Sequence, residues 1–500
     1  MAEGGAAERI AVWARVVVVA LSALAVGTFV VLALVRMSYP FELEWMEGGT
    51  VDHVRRVLSG RPLYVEPSLS FTSYIYTPLY FWVSSGFAAV MGVGFAAPRL
   101  VSVLSTLACF AALFVLVRRE SGSSFGGVVA AGVFAATFAA SGSWFDLARV
   151  DMLFLALVLW SAFLLRRRDD VLHHVLAAVL ASLAFMTKQS ALLVAAPLMV
   201  GVAATCRGWL RAVFPAVTAG LVALAAAAMH ALTNGWFTYY VFELPRQHPL
   251  NHAMWVDFWV HDLLAAMSVA VLTTIVYLVT LGGERRFRDL FFHACLLAGL
   301  VGASWSARLH TGGWLNSLIP AHAALSLYLA LGVTTVLSRW RSTSASAAVP
   351  LLACGVCAAQ MLGLAYAPAR ELPSQDDAAA GRSLVRVMER IEGPVYLTNH
   401  GYLPAMAGKR THAQGMAVAD VLRSEDVRLR GALLDEILTA IREQRFAAVI
   451  VSERGLVEGW IMPELERHYR HRGDVFVEPD VFWPVTGHTM RPAGVYLPRR

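Results

Sequence analysis

Charge is what this sequence has least of. Asp, Glu, Lys and Arg make up 15% of its 500 residues, against roughly 25% in soluble domains, so an ordinary soluble globular chain is excluded. Cysteine is scarce as well. Cys109, Cys206, Cys295, Cys354 and Cys357 all lie inside apolar stretches; they offer neither a disulfide framework nor a zinc-ligand spacing. No internal repeat and no low-complexity linker is found. The first apolar run, after Trp13, has the length of a membrane span and lacks a small-residue cleavage site, so it does not read as a removable signal peptide. The formal charge of +6 calls for no nucleic acid, because the basic residues cluster at alternate ends of the apolar blocks, as the positive-inside rule expects.

What the chain has instead is apolar length. Hydrophobic residues make up 57% of it, gathered in blocks of about 17–25 residues, the length that crosses a hydrocarbon core as helix. The fold class is therefore a polytopic α-helical membrane protein. The topology turns on residues 76–97, which contain three glycines and open on a Tyr/Trp-rich turn. If they cross, the basic runs Arg118-Arg119, Arg166-Arg167-Arg168, Arg207/Arg211, Arg285-Arg286/Arg288 and Arg339/Arg341 all fall outside. If they lie along the outer surface as an interfacial helix, all these runs fall in the cytoplasm, and this arrangement is the expectation. About eleven spans follow, near 11–35, 98–117, 125–143, 151–165, 172–187, 191–206, 212–232, 262–281, 289–305, 313–337 and 347–365. The N-terminus is then cytoplasmic and the C-terminus outside.

The composition changes at 367. Pro394–Leu397 and Ala447–Val451 read as strands and Leu433–Gln444 as an amphipathic helix between them. The expectation is a transmembrane module over 1–366, with a first outer loop at 36–97, and a small extracytoplasmic α/β domain over 367–500.

Nearly all the unusual polar residues fall on the outer side of this scheme. The first outer loop is long, acidic and aromatic, where a mere connector is short and polar. Glu44 and Glu47 stand at helical spacing, before Gly48-Gly49, which permit close backbone approach; either acid could be a general base toward an acceptor, or part of a solvated acidic loop. Arg149 and Asp151 flank a span end, where ionisable groups are costly unless paired or functional. Lys188 in TKQS either snorkels to the headgroups or meets substrate. Arg308, His310 and Asn316 surround the glycine turn of RLHTGGWLN. His248 and His252 sit in a tryptophan-rich loop without metal-ligand spacing, and no metal site is indicated. Acids and cations around a lipid-facing cavity suit an anionic lipid: cations hold the phosphate as it leaves and an acid deprotonates the acceptor.

These residues also resemble a family. ELEWMEGG followed by VLSGRPLY, then YTPLYF, ARVDML, TKQS and GGWLN, in this order, look like the polyprenyl-phosphate-dependent C-type glycosyltransferases, in particular the branch of protein mannosyltransferases and lipid A aminoarabinose transferases. The resemblance covers roughly residues 10–365. It implies transfer of one sugar from a polyprenyl-phosphate carrier to an extracytoplasmic glycan, lipid or protein, without a cofactor, in a bacterial inner membrane. The first-loop acid falls on Glu47 or Glu44, the second-loop acid on Asp151 beside Arg149, and Lys188 on the donor phosphate or on loop positioning. Arg308, His310, Asn316, Tyr76 and Tyr80 complete the expected substrate-binding set. Two other classes are compatible with the residues, a transporter of lipid-linked sugars and a non-catalytic envelope scaffold. A transporter would place ionisable groups at the bilayer midplane and show internal repeats.

Overall fold

The chain is seen here as a computed structural model that describes residues 2–167, 169–342 and 348–499. Arg168, one member of a basic run, lies outside the described residues, as does the side chain of Arg341. The fold is a bundle of apolar helices: α1 (Ala2–Met37), α4 (Ala96–Ser121), α5 (Ser124–Ala136), α6 (Asp151–Leu165), α7 (Val171–Thr187), α8 (Ala191–Thr205), α9 (Leu210–Leu232), α10 (Met254–Gly283), α11 (Phe287–Leu309), α12 (Ile319–Ser342) and α13 (Ala348–Gly363). Two shorter helices, α2 (Glu47–Leu58) and α3 (Leu79–Met91), lie in the loop between α1 and α4. Among the described residues six helices are long and apolar enough to cross a membrane, and a seventh candidate is α13 joined at a bend to the segment after it. The other expected spans, α5 to α8, have 13, 15, 17 and 15 residues. At about 1.5 Å per residue they fall short of a hydrocarbon core of about 30 Å.

Local sequence sets several of the helix ends. Ser123 caps α5 by accepting from Gly126 N at 3.1 Å, and Asp170 caps α7 by accepting from Leu172 N at 2.9 Å. Gly122 ends α4 at a φ of +69°. The stretch read as an interfacial helix is shorter than expected. It is helical only over the 13 residues of α3, and α4 begins at Ala96, after a break at 92–95.

Polar residues gather at the two ends of the bundle. At one end Arg166 pairs with Glu120 and with Asp289 (2.9 Å), Arg286 with Asp289 (2.9 Å) and Arg339 with Glu284 (2.8 Å). At the other end lie the loop from Arg36 to Phe95, the turn 137–150, Lys188 and the turn 310–318. The helices α4, α6, α11 and α12 run from one end to the other, so each carries a residue of both clusters or of the loops beside them.

After α13 the chain forms α14 (Gln375–Arg390), α15 (Gly415–Leu422), α16 (Val427–Arg442) and α17 (Glu458–His468), with a four-stranded sheet. The strands are β1 (Val395–Leu397), β2 (Ala448–Glu453), β3 (Tyr469–Asp474) and β4 (Arg491–Pro498), in the order β1-β2-β4-β3. β1 and β2 are parallel, and the two later strands join antiparallel. Ser374 and Asp377 close α14 with a reciprocal capping box. The apolar core is continuous from the spans into this sheet.

Candidate active site

The site is built on one arginine that the sequence reading did not single out. Arg99 enters the first turn of α4 and is fully buried. All five of its N–H groups are engaged: Nε and one terminal nitrogen on the two oxygens of Glu47 (2.9 and 2.6 Å), and the rest on the carbonyls of Arg36, Tyr39 and Phe41 (3.1, 2.6 and 2.6 Å). Glu47 also accepts from Leu43 N and Ala148 N, both at 2.8 Å. Its two oxygens thus receive four hydrogen bonds, which fills a carboxylate's acceptor positions. Burial works to raise its pKa, but Arg99 and the two backbone donors outweigh it and hold the carboxyl below the usual range. Glu47, expected as a candidate base, is in this geometry the clamp that ties the first loop to α4 and to the 137–150 turn.

Glu44 is placed differently. It is 1% exposed, and its Oε2 accepts no hydrogen bond among the described residues. The nearest cation is Arg149, whose NH1 lies 3.7 Å away. Burial pushes the Glu44 carboxyl up to about 8, with Arg149 working against the rise and Glu47 adding to it. Arg149 donates to the Tyr76 hydroxyl at 2.9 Å and lies over the rings of Tyr76 (5.4 Å), Trp144 (5.5 Å) and Tyr74 (6.0 Å). Among the described residues its Nε and NH1 have no hydrogen-bond acceptor. A buried acid and a buried guanidinium, each with an unsatisfied group and facing each other, are costly to maintain without a ligand.

Asp151 opens α6 and organises the neighbouring cations and donors. Its Oδ1 accepts from Lys188 Nζ at 2.7 Å and from Asn316 Nδ2 at 3.2 Å, and its Oδ2 accepts from Trp144 Nε1 at 3.1 Å. Residues from 144 to 316 in the sequence thus meet at one carboxylate. Gln189, beside Lys188, ties this corner to the Ile75 and Val241 carbonyls (2.8 and 3.3 Å).

Three other expected site residues have structural partners. Tyr80 is fully buried, with its hydroxyl donating to Pro98 O (2.7 Å) and sharing a hydrogen bond with Ser102 (2.9 Å). Arg308 grips Asp262 at 2.7 Å and the Gly313 carbonyl, which holds the glycine turn onto α10. His310 pairs through its backbone with Leu250, and burial lowers its pKa. Tyr76 and Asn316 are at the site; Tyr80, Arg308 and His310 frame it.

The C-terminal region covers this end of the bundle. Gly487, at a φ of +83°, passes so close that a Cβ there would lie 2.8 Å from Glu44 Cγ. Asp420 on α15 is buried; its Oδ1 accepts no hydrogen bond among the described residues and lies 3.6 Å from His248 Nε2. Burial pushes the Asp420 carboxyl up to about 7, with Arg423 and Arg149 pulling it back. His400 Nδ1 meets Glu42 Oε2 at 2.5 Å, and Gln414 donates to Trp45 O at 2.8 Å. Arg99, Trp144, Asp420 and the Glu42–His400 pair escaped the sequence reading. His400 stands 358 positions from Glu42, so no local signal marks the pair. For Arg99 there was one, a lone arginine at the start of an apolar span. Among the described residues no group of three or more His, Cys, Asp or Glu could hold a metal ion.

The fold of the bundle is that of solved C-type glycosyltransferases. The particular relatives follow. Residues 76–232 match the family model of dolichyl-phosphate-mannose-protein mannosyltransferases. The chain is similar to ArnT from Cupriavidus metallidurans bound to undecaprenyl phosphate, at 14% identity and a TM-score of 0.62 over 95% of this chain and 97% of that one. It is also similar to the oligosaccharyltransferase AglB from Archaeoglobus fulgidus in complex with an inhibitory peptide and a dolichol-phosphate, at 10% identity and a TM-score of 0.52 over 94% and 74%. No curated protein matches the chain in sequence. The family resemblance read from the motifs is borne out, and the chain is a polytopic membrane protein.

Proposed function

We propose that the chain transfers a single sugar from a polyprenyl-phosphate carrier to an acceptor on the outer face of a bacterial inner membrane, with Glu44 as general base. The observation that carries this reading is the pairing of two incomplete groups. Glu44 holds an unpartnered, buried oxygen and a carboxyl pKa of about 8, near the pH at which a base must work. Arg149 faces it with two nitrogens that have no hydrogen-bond acceptor among the described residues. In the reaction the acceptor oxygen attacks the anomeric carbon, the bond from that carbon to the phosphate oxygen breaks, and Glu44 takes the acceptor's proton. Arg149 and Lys188 offset the charge that develops on the departing polyprenyl phosphate. Asp151, with Asn316 and Trp144, aims Lys188, and Tyr76 aims Arg149.

The orientation has its own support. The end opposite the site holds Arg118, Arg119, Arg166, Arg285, Arg286, Arg288 and Arg339, which suits the cytoplasmic side. The N-terminus is then cytoplasmic, and residues 367–500 form an outer domain over the 1–366 module. The test uses purified protein with a panel of radiolabelled polyprenyl-phosphate sugars and an envelope extract, and compares wild type with Glu44→Gln, Glu47→Gln and Asp151→Asn. Sugar should leave the lipid in wild type and fall at least about 100-fold in Glu44→Gln. Binding of every donor without transfer would favour transport, and unchanged transfer in Glu44→Gln would remove the assigned base.

A further inference from the structure

The far end of α2 forms one wall of a second cavity, separate from the Glu44 site. Its volume is about 500 Å³, and it is lined by Asp52, Arg55, Arg56, Arg61, Phe71, Arg410 and three hydroxyl residues. Arg55, Arg56 and Arg61 come from the first loop, and Arg410 comes from the C-terminal region. Four guanidinium groups therefore face one carboxylate, an excess of three positive charges in a space of ordinary ligand size.

The two walls are fastened together. Ala413 N donates to Leu69 O and Leu69 N donates to Glu436, both at 2.9 Å, while Arg55 reaches Thr411. Arg56 is held over the Phe71 ring at 4.1 Å. Arg55 also pairs with Asp52 at 2.7 Å. Among the described residues, Arg61 and Arg410 have no carboxylate partner, whereas the large buried arginines Arg36 and Arg99 each have one. Arg61 and Arg410 are both exposed to solvent, so their charges are open to a ligand from outside. A further cavity of about 690 Å³ adjoins this one through Ser70 and Arg410, and its charged lining adds Lys409, Arg445 and Glu436.

We propose that this trough binds the phosphate groups of an anionic acceptor, holding the molecule so that one of its hydroxyls reaches Glu44. The assignment rests on the transferase reading above. A phosphomonoester carries a charge near −2 and matches the arginine fork in geometry, so one or two such groups offset the excess. α2 sets the reach: from Glu47 to Arg55 it rises about 12 Å, which calls for an extended acceptor and not a free monosaccharide.

The test uses the full chain in nanodiscs of neutral phosphatidylcholine, titrated calorimetrically with inorganic pyrophosphate. Wild type should bind, Glu44→Gln should bind equally, and the Arg61→Ser/Arg410→Ser double variant should lose at least about tenfold in affinity. No binding by wild type, or binding unchanged in the double variant, overturns the proposal. A second arm repeats the titration in nanodiscs rich in an anionic lipid; if that lipid displaces pyrophosphate, the trough holds headgroups and the acceptor assignment falls. Where transfer is observed, the double variant should raise KM for the acceptor and leave KM for the donor unchanged, and a raised donor KM overturns the assignment. Absence of transfer by wild type would defeat the transferase reading alone, since the pyrophosphate titration is independent of turnover.

Discussion

Glu44 and Glu47 stand one helical turn apart and differ in almost everything that matters chemically. One is saturated by an arginine and two backbone amides; the other keeps a bare oxygen in a dry place. Their substitutions should therefore separate. Glu47→Gln removes one charge of a buried pair and leaves Arg99 uncompensated, a loss of about 3–5 kcal/mol by analogy with other broken buried pairs, visible as a lower unfolding temperature and less folded protein. Glu44→Gln should lose transfer and keep its fold. The pH dependence has a definite sign. A base must be ionised, so kcat/KM should rise with pH to a midpoint near 8. Because the folded carboxyl sits above its ordinary 4.5, the native state binds the proton more tightly than the unfolded chain. The associated stability is full below about 4.5 and is lost as pH rises through about 8. The unfolding temperature of Glu44→Gln should therefore gain on wild type across that interval. A flat difference would argue that Glu44 titrates normally.

The element that does most to place these acids is α2, whose first turn packs against the aromatic segment of the same loop. A Cβ on Gly49 would stand 2.0 Å from the Tyr74 hydroxyl, and one on Gly48 would stand 2.2 Å from Glu42 Oε1. Tyr74 in turn donates to Met46 O at 2.7 Å, so the glycines set how closely the acidic turn approaches its aromatic neighbours. Gly49→Ala should cost about 1–3 kcal/mol as overpacking and disturb Glu44, which lowers the unfolding temperature and transfer together. His53, on the same helix, is stacked between Tyr74 (4.7 Å) and Phe81 (4.7 Å) and bonds Gly49 O at 2.6 Å. Burial lowers its pKa to about 4, so it is a neutral packing residue near neutral pH.

For the whole molecule, the notable feature is that the C-terminal region helps to enclose the site beneath it. Gly487 presses on Glu44, Asp420 faces His248, and His400 grips Glu42. Ending the chain after residue 366 should remove that enclosure, let water reach Glu44 and abolish transfer, with the apolar helices still inserting into the membrane. A truncated chain that transfers at the wild-type rate would show that the cover is dispensable. His400→Ala leaves Glu42 buried without its partner and should loosen the same contact, measurable as faster limited proteolysis of residues 367–500.

The membrane class and the glycosyltransferase resemblance were legible in the linear chain, whereas the meeting of Asp151 with Lys188 and Asn316 came only with the packed helices. Apolar length and charge asymmetry are local properties, and short motifs carry chemistry in their residue types. The choice between Glu44 and Glu47 was not legible, because it depends on which acid receives Arg99 and the amide of Ala148, a matter of partners 52 and 101 residues away. Nor were the roles of Tyr80 and Arg308, whose polar groups are satisfied by Pro98, Ser102 and Asp262 once the helices pack. Sequence alone determined that this is a chain of many apolar spans, and its motifs carried the glycosyltransferase resemblance. Tertiary structure decided which carboxylate is left free, because burial and hydrogen-bond saturation are properties of the packed chain and not of any segment in it.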